Sequence, residues 1–276
     1  MTDSDKRQAV SCHIDERGIA TVLLNRPDRH NAFDDVMIGQ LREHFDTLSA
    51  RADVRVVVLA AEGKSFSAGG DLAWMRRMAD YDYEDNLNDA RALAGMLLAL
   101  KTLPQPTLAR VQGSAFGGAV GLLCCCDIAI GVDTATFGLT EARVGLIPAT
   151  IGPHVVEALG PRWARRLFLT AERFDATRAR DMGLLHEVCA ADELDTRTAA
   201  LTGQLLANGP DALREAKALC ADLVYASVDE ALLEDTSRRI AERRVAAEGQ
   251  EGLKAFLEKR APVWASAAPT ANGADS

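Results

Sequence analysis

Hydrophobic positions along the chain follow two spacings. Runs rich in β-branched residues at 19–25, 54–60, 107–112 and 127–131 predict strands. Stretches with apolar residues three and four apart at 34–50, 87–103 and 117–126 predict helices between them. Strands separated by helical crossovers pair in parallel, so this order predicts an α/β layered core with helices covering a sheet. From 151 onward the pattern turns helical, at 151–159, 161–170, 192–208, 211–225, 228–247 and 249–259, with few strand-like runs. Asn208-Gly209-Pro210 reads as a stop and restart, since glycine suits a helix end and proline the first turn of the next. The chain is therefore divided into a core over 1–200, a helical region over 201–264 and a tail over 265–276. The tail is small and polar, with nothing to bury, and is expected to be disordered. No internal repeat is apparent in the sequence.

Composition narrows the function classes. With 276 residues, 48% of them hydrophobic, the chain can build one large domain or a core plus an appendage. A net charge of −9 argues against a basic surface that binds nucleic acid regardless of sequence. No apolar run approaches the roughly 20 residues needed to span a bilayer. The first ten residues lack the apolar stretch of a signal peptide, and a soluble, cytoplasmic protein is expected. Cysteines stand at 12, 124, 125, 126, 189 and 220, three of them adjacent, which suits neither a disulfide framework nor a zinc site. They are read as reduced thiols, the adjacent three as small buried residues, and no metal is implied.

Two glycine turns are candidates for chemistry: Ser65-Phe66-Ser67-Ala68-Gly69-Gly70-Asp71 and Gly113-Ser114-Ala115-Phe116-Gly117-Gly118-Ala119. Each joins a strand to a helical pattern. Glycine allows positive φ and close backbone approach, and N–H groups at a helix start face outward with the favourable end of the dipole. Two such turns can converge on one oxygen as a main-chain oxyanion hole; the alternative is that each is only a tight turn. Neither fits a Walker or GxGxxG pattern. Glu141, set among apolar residues just past the fourth strand, is a candidate proton carrier, because burial raises a carboxyl's pKa toward the useful range. An exposed surface glutamate is the plainer reading, with Arg143 as a salt-bridge partner. Asp71 is expected to cap a helix, Trp74, Met75 and Met78 to pack, and His154 to cap or line a pocket.

Taken in order, these pieces resemble the crotonase superfamily of enoyl-CoA hydratases and isomerases. The resemblance rests on Asn25-Arg26-Pro27 with Asn31-Ala32, Phe66 to Leu72, Gly113 to Gly118 with Cys126-Asp127-Ile128, Phe137-Gly138 to Glu141, and Val144 to Pro148. It continues through 176–183 and the ending Glu251 to Arg260, so that it runs from about residue 14 to 260. It implies a spiral of ββα units, a C-terminal helical region serving a homotrimer or a dimer of trimers, and an acyl-CoA thioester as substrate. By motif position, the N–H groups of Gly70 and Gly118 hold the thioester oxygen and Glu141 is the acid/base. Arg29, His30, Ala32, Ser67, Ala68 and Leu72 frame CoA, while Phe256 and Lys259 reach it, often across a subunit boundary. No cofactor is implied beyond the CoA carried by the substrate, and no nucleic acid or membrane partner.

Two departures shape the expectation. A CoA-contacting lysine of the family is Ala73 here, leaving the phosphates to Arg76, Arg77 or other basic groups. The first of two hydratase glutamates is Gly121, leaving Glu141 alone. The segments 113–122 and 147–156 look like the bacterial methylglutaconyl-CoA hydratase group. The resemblance therefore implies hydration of a branched, carboxylated 2-enoyl-CoA, with Arg143 and His154 as candidates for its distal carboxylate. The alternatives are an isomerase using the single glutamate and a non-catalytic CoA-ester or RNA-binding scaffold.

Overall fold

A computed structural model describes residues 8–265. Its larger sheet has six strands. β1 (Val10–Ile14) runs antiparallel to β2 (Ile19–Leu24), and Gly18, at φ +82°, makes the reversal. β2 then pairs in parallel with β3 (Val56–Ala61), followed by β5 (Thr107–Val111), β7 (Ile128–Val132) and β10 (Glu187–Cys189). Every residue of β3 is buried, as a parallel strand covered on both faces requires.

A second sheet of four three-residue strands carries the site. β4 (Ser65–Ser67), β6 (Ser114–Phe116) and β8 (Thr136–Gly138) are parallel, and β9 (Arg173–Asp175) closes the edge antiparallel to β8. Each parallel member follows a long strand after a short bend: β3 leads to β4, β5 to β6 and β7 to β8. A helix follows each pair. α2 (Leu72–Asp80) and α3 (Tyr83–Lys101) come after β4, and α4 (Gly118–Cys125) after β6. A 3-10 turn (Glu141–Val144) and then α5 (Gly152–Thr170) come after β8. The unit thus repeats in structure although no repeat is visible in the residues.

The expected helix over 34–50 is α1 (Asp35–Ser49), whose N-cap Asp34 accepts from Met37 N. The two helices expected at 151–159 and 161–170 are α5, broken at Gly160 with φ +75° and ψ 158°. A short α6 (Ala176–Asp181) was not signalled by the sequence. The C-terminal helices are α7 (Leu194–Leu206), α8 (Pro210–Leu223), α9 (Glu230–Val245) and α10 (Ala247–Leu257), with Pro210 opening α8 as the restart predicts. Residues 266–276 of the expected tail lie outside the described residues.

Polar ties hold these helices to the amino ends of the large sheet. Arg55 donates to the carbonyls of Leu206 and Asn208 at 2.9 and 3.0 Å. Lys217 Nζ reaches Asp127 at 2.7 Å and the Gln105 carbonyl at 3.0 Å. The glycine turns leave from the opposite, carboxyl end. Burial raises the thiols of Cys124, Cys125 and Cys126, that of Cys124 to about 12, which fits inert packing.

Within the small sheet, Phe137 on β8 is fully buried and stacks on its cross-strand partner Phe174 on β9 with ring centroids 5.9 Å apart. Replacing Phe137 with Ala should cost about 3–5 kcal/mol in chemical denaturation, because the close-packed wall behind β8 cannot collapse into the void. A loss below about 1 kcal/mol would contradict this placement of the core.

Candidate functional site

Because β4, β6 and β8 are adjacent and parallel, the segments that leave their carboxyl ends are neighbours. Those segments are the two glycine turns and the stretch carrying Glu141.

The first turn is clasped by Phe33. Phe33 N donates to the Gly69 carbonyl and Asp71 N donates to the Phe33 carbonyl, both at 2.7 Å, which makes a parallel bridge between Phe33 and Gly70. In such a bridge the middle residue's own N–H points away from the partner chain. The Gly70 N–H accordingly has no acceptor among the described residues. Gly69 bends here at φ +97°, its N–H directed at Ser67 Oγ at 3.4 Å, and Ala68 N donates to the His30 carbonyl at 2.9 Å. Asp71 caps α2 through the N–H groups of Ala73 and Trp74. Burial alone would raise its pKa, but these two donors and the guanidinium groups of Arg26 and Arg29 outweigh it and hold the carboxyl below its ordinary value.

In the second turn, Gly117 adopts φ +55° and donates to the Gly138 carbonyl at 3.0 Å. Gly118 opens α4, so its N–H belongs to the unpaired first turn of a helix and has no acceptor among the described residues. A Cβ at Gly118 would stand 3.7 Å from the Phe33 ring, so one residue touches both turns.

Glu141 completes the group. Its Oε1 lies 3.4 Å from where a Cβ at Gly117 would be, and its Oε2 is buried with no hydrogen-bond partner. Burial raises its pKa; its own backbone N–H opposes this only in part. The structure thus sets two unengaged N–H groups and one unpartnered carboxyl oxygen at the ends of three adjacent strands.

The other expected residues divide. Arg29, 3.5 Å from Asp71, lies beside the first turn. His30 Nδ1 is 3.2 Å from Ser65 Oγ, Ala32 and Ser67 are buried, and Leu72 is 71% exposed at the start of α2. Ser67 Oγ faces the N–H of Gly69 in the turn itself. Arg143 Nη2 donates to the Ala171 carbonyl at 2.7 Å, a main-chain acceptor in place of the salt bridge the sequence suggested. His154 sits on α5, where burial foremost, and then the Lys101 ammonium, lower its pKa. Phe256, in the last turn of α10, and Lys259, just past it, are exposed. Arg77 pairs with Asp35, whereas Arg76 is exposed and forms no ion pair among the described residues.

Sequence reasoning missed Phe33, which acts through its main chain and carries no polar signal. Met75, read as packing, lies with Cγ 3.4 Å from a Cβ built on Gly70. An apolar cavity of about 460 Å³, lined by Ala142, Leu146, Ile147, Pro148, Phe168 and Leu169, opens beside the loop that follows Glu141.

Residues 15–267 match the family described as enoyl-CoA hydratase/isomerase. The chain belongs to the enoyl-CoA hydratase/isomerase family. A crystal structure of an enoyl-CoA hydratase from Shewanella pealeana is 44% identical, with a TM-score of 0.90 over 96% of this chain and 100% of that one. Another from Mycobacterium smegmatis is 34% identical, with a TM-score of 0.88 over 94% and 99%. An enoyl-CoA hydratase of Alternaria alternata is 33% identical over 258 residues, covering 92% of this chain and 84% of that protein. The fold is the α/β crotonase fold, with its C-terminal helices present. The more specific methylglutaconyl-type likeness is not part of these matches, whose names are those of enoyl-CoA hydratases generally.

Within this family member, position 121 is packed full. A Cβ at Gly121 would meet Ile151 Cγ2 at 2.4 Å and Ile151 Cβ at 2.9 Å. Gly121→Ala should therefore lower stability by about 1–3 kcal/mol despite alanine's better helix propensity. Adding Ile151→Ala should recover part of that loss, with a coupling of at least about 1 kcal/mol in a denaturation double-mutant cycle. Additive effects would contradict the contact.

Proposed function

We propose that this enzyme adds water to a branched, carboxylated 2-enoyl-CoA of the 3-methylglutaconyl-CoA kind. The observation that carries the reading is the buried, unpartnered Oε2 of Glu141 at the ends of the same strands as the two unengaged N–H groups of Gly70 and Gly118. Those N–H groups receive the thioester oxygen. As Glu141 takes a proton from water, the water oxygen bonds to C3, and the C2=C3 electron pair moves through C2 and C1 onto the thioester oxygen as an enolate. The enolate then collapses, and Glu141 returns the proton to C2. Each N–H donor aimed at the developing charge supplies about 3–4 kcal/mol to the transition state.

For the distal carboxylate, Arg143 is the stronger candidate, since burial disfavours the cationic form of His154. Arg29, His30, Ala32, Ala68 and Leu72 surround the first turn, where CoA enters in this reading. The exposed Phe256 and Lys259 are assigned to the CoA of a neighbouring copy in a trimer or a dimer of trimers. The single-carboxylate site also supports a second reading, double-bond migration, because a side chain at 121 has no room and one shuttle serves both reactions.

Glu141→Gln should lower turnover by about 100-fold or more at similar CoA-ester affinity. Near-normal turnover would refute the assignment. Product oxygen from ¹⁸O-labelled water is expected for hydration, and its absence alongside a shifted double bond identifies the isomerase.

A pH prediction follows from the raised pKa. The proton-accepting form is lost as pH falls through a value above the ordinary 4.5, so the acid limb of kcat/KM should lie above 4.5. The folded chain also holds this proton more tightly than the unfolded chain, so Glu141 costs stability as pH rises through that window. Glu141→Gln should then resist denaturant better than the parent at neutral pH. Equal or lower stability would contradict a charge buried without a partner.

A further inference from the structure

Two glycines four residues apart meet the loop after β8: Gly117, the N-cap of α4 at φ +55°, and Gly121 inside the helix. Glu141 lies over the first gap, with Oε1 3.4 Å from a Cβ at Gly117. Ile151 lies over the second, its Cγ2 2.4 Å from a Cβ at Gly121. The two residues bound the loop that joins β8 to α5, and each covers one of the two glycine gaps. Ile151 is 2% exposed.

We propose that Ile151 is a positioning residue that sets the proton affinity of Glu141 by filling the gap at Gly121 with hydrocarbon. The proposal rests on the reading of Glu141 as the acid/base. A polar residue or a water in that place would give Oε2 the donor it lacks, and hydrogen bonding to a carboxylate favours its charged form.

No charged group on the surrounding elements does the same work. Residues 118–125 of α4 carry no ionisable side chain other than the Cys124 and Cys125 thiols, which burial keeps protonated. Arg143, on the same turn as Glu141, donates to the Ala171 carbonyl. His154 and Glu157 on α5 interact with Lys101 at the end of α3. The shift of Glu141 has burial as its leading cause and no charge partner.

The test compares Ile151→Thr with Ile151→Val in the full-length protein. Threonine keeps the γ2 methyl against Gly121 and exchanges the ethyl arm for a hydroxyl, whereas valine keeps the site apolar. The Glu141 carboxyl is followed by infrared difference spectroscopy, its band assigned by its loss in Glu141→Gln, and kcat/KM is followed against pH. Ile151→Thr should move both the carboxyl midpoint and the acid limb down by about one pH unit, while Ile151→Val leaves them in place. Ile151→Ala, which admits water, should move them in the same direction as threonine and serves if the threonine chain does not fold. Unmoved midpoints in the threonine and alanine variants, or a valine variant that shifts as far as threonine, would overturn the proposal. If Glu141→Gln retains turnover, the acid/base reading fails, and the spectroscopic midpoint still judges Ile151 separately.

Discussion

The site depends on strand direction. Three parallel strands of only three residues each, β4, β6 and β8, lie side by side, so whatever leaves their carboxyl ends must meet. Parallel pairing needs a crossover between neighbours, and here α2 with α3, and then α4, supply it on the way from one short strand to the next. Three strands of the large sheet, β3, β5 and β7, each deliver a short partner after a bend of a few residues. The buried sheet thus fixes where Gly70, Gly118 and Glu141 come together, although these residues are far apart in the chain.

Convergence alone leaves the main chain free to satisfy itself, since backbone N–H groups readily find acceptors within a fold. Two devices prevent that here. Phe33 uses the bonds on either side of Gly70 to hold the turn while directing the Gly70 N–H away from itself. Gly117, at φ +55°, starts α4 so that the Gly118 N–H falls in the unpaired first turn. Glu141 Oε2 is likewise buried with no hydrogen-bond partner. The N–H groups of the exposed Gly70 and the half-buried Gly118, together with the buried Oε2 of Glu141, mark a surface prepared for a polar guest.

Much of this was legible in the residues. The four long parallel strands expected at 19–25, 54–60, 107–112 and 127–131 are β2, β3, β5 and β7, because strands buried on both faces leave continuous apolar runs. Gly160 marked the break in α5 for a similar reason, since φ +75° suits glycine. The short strands were invisible: three residues cannot display a period of two, and β9 and β10 escaped notice within a helical region. At the site, the glycines and Glu141 stood out through chemistry. Phe33 did not, because it acts through its backbone, and Ile151 did not, because its contact with Gly121 joins residues thirty apart in sequence.

The central claim is that the N–H groups of Gly70 and Gly118 polarise one carbonyl, and the most direct measurement is the infrared stretch of a ¹³C-labelled thioester carbonyl in a CoA ester bound to the protein. Two convergent donors lengthen the C=O bond, so the band is expected at lower frequency than for the same ester in water. A band at the aqueous frequency or above it would contradict the account, whatever the turnover.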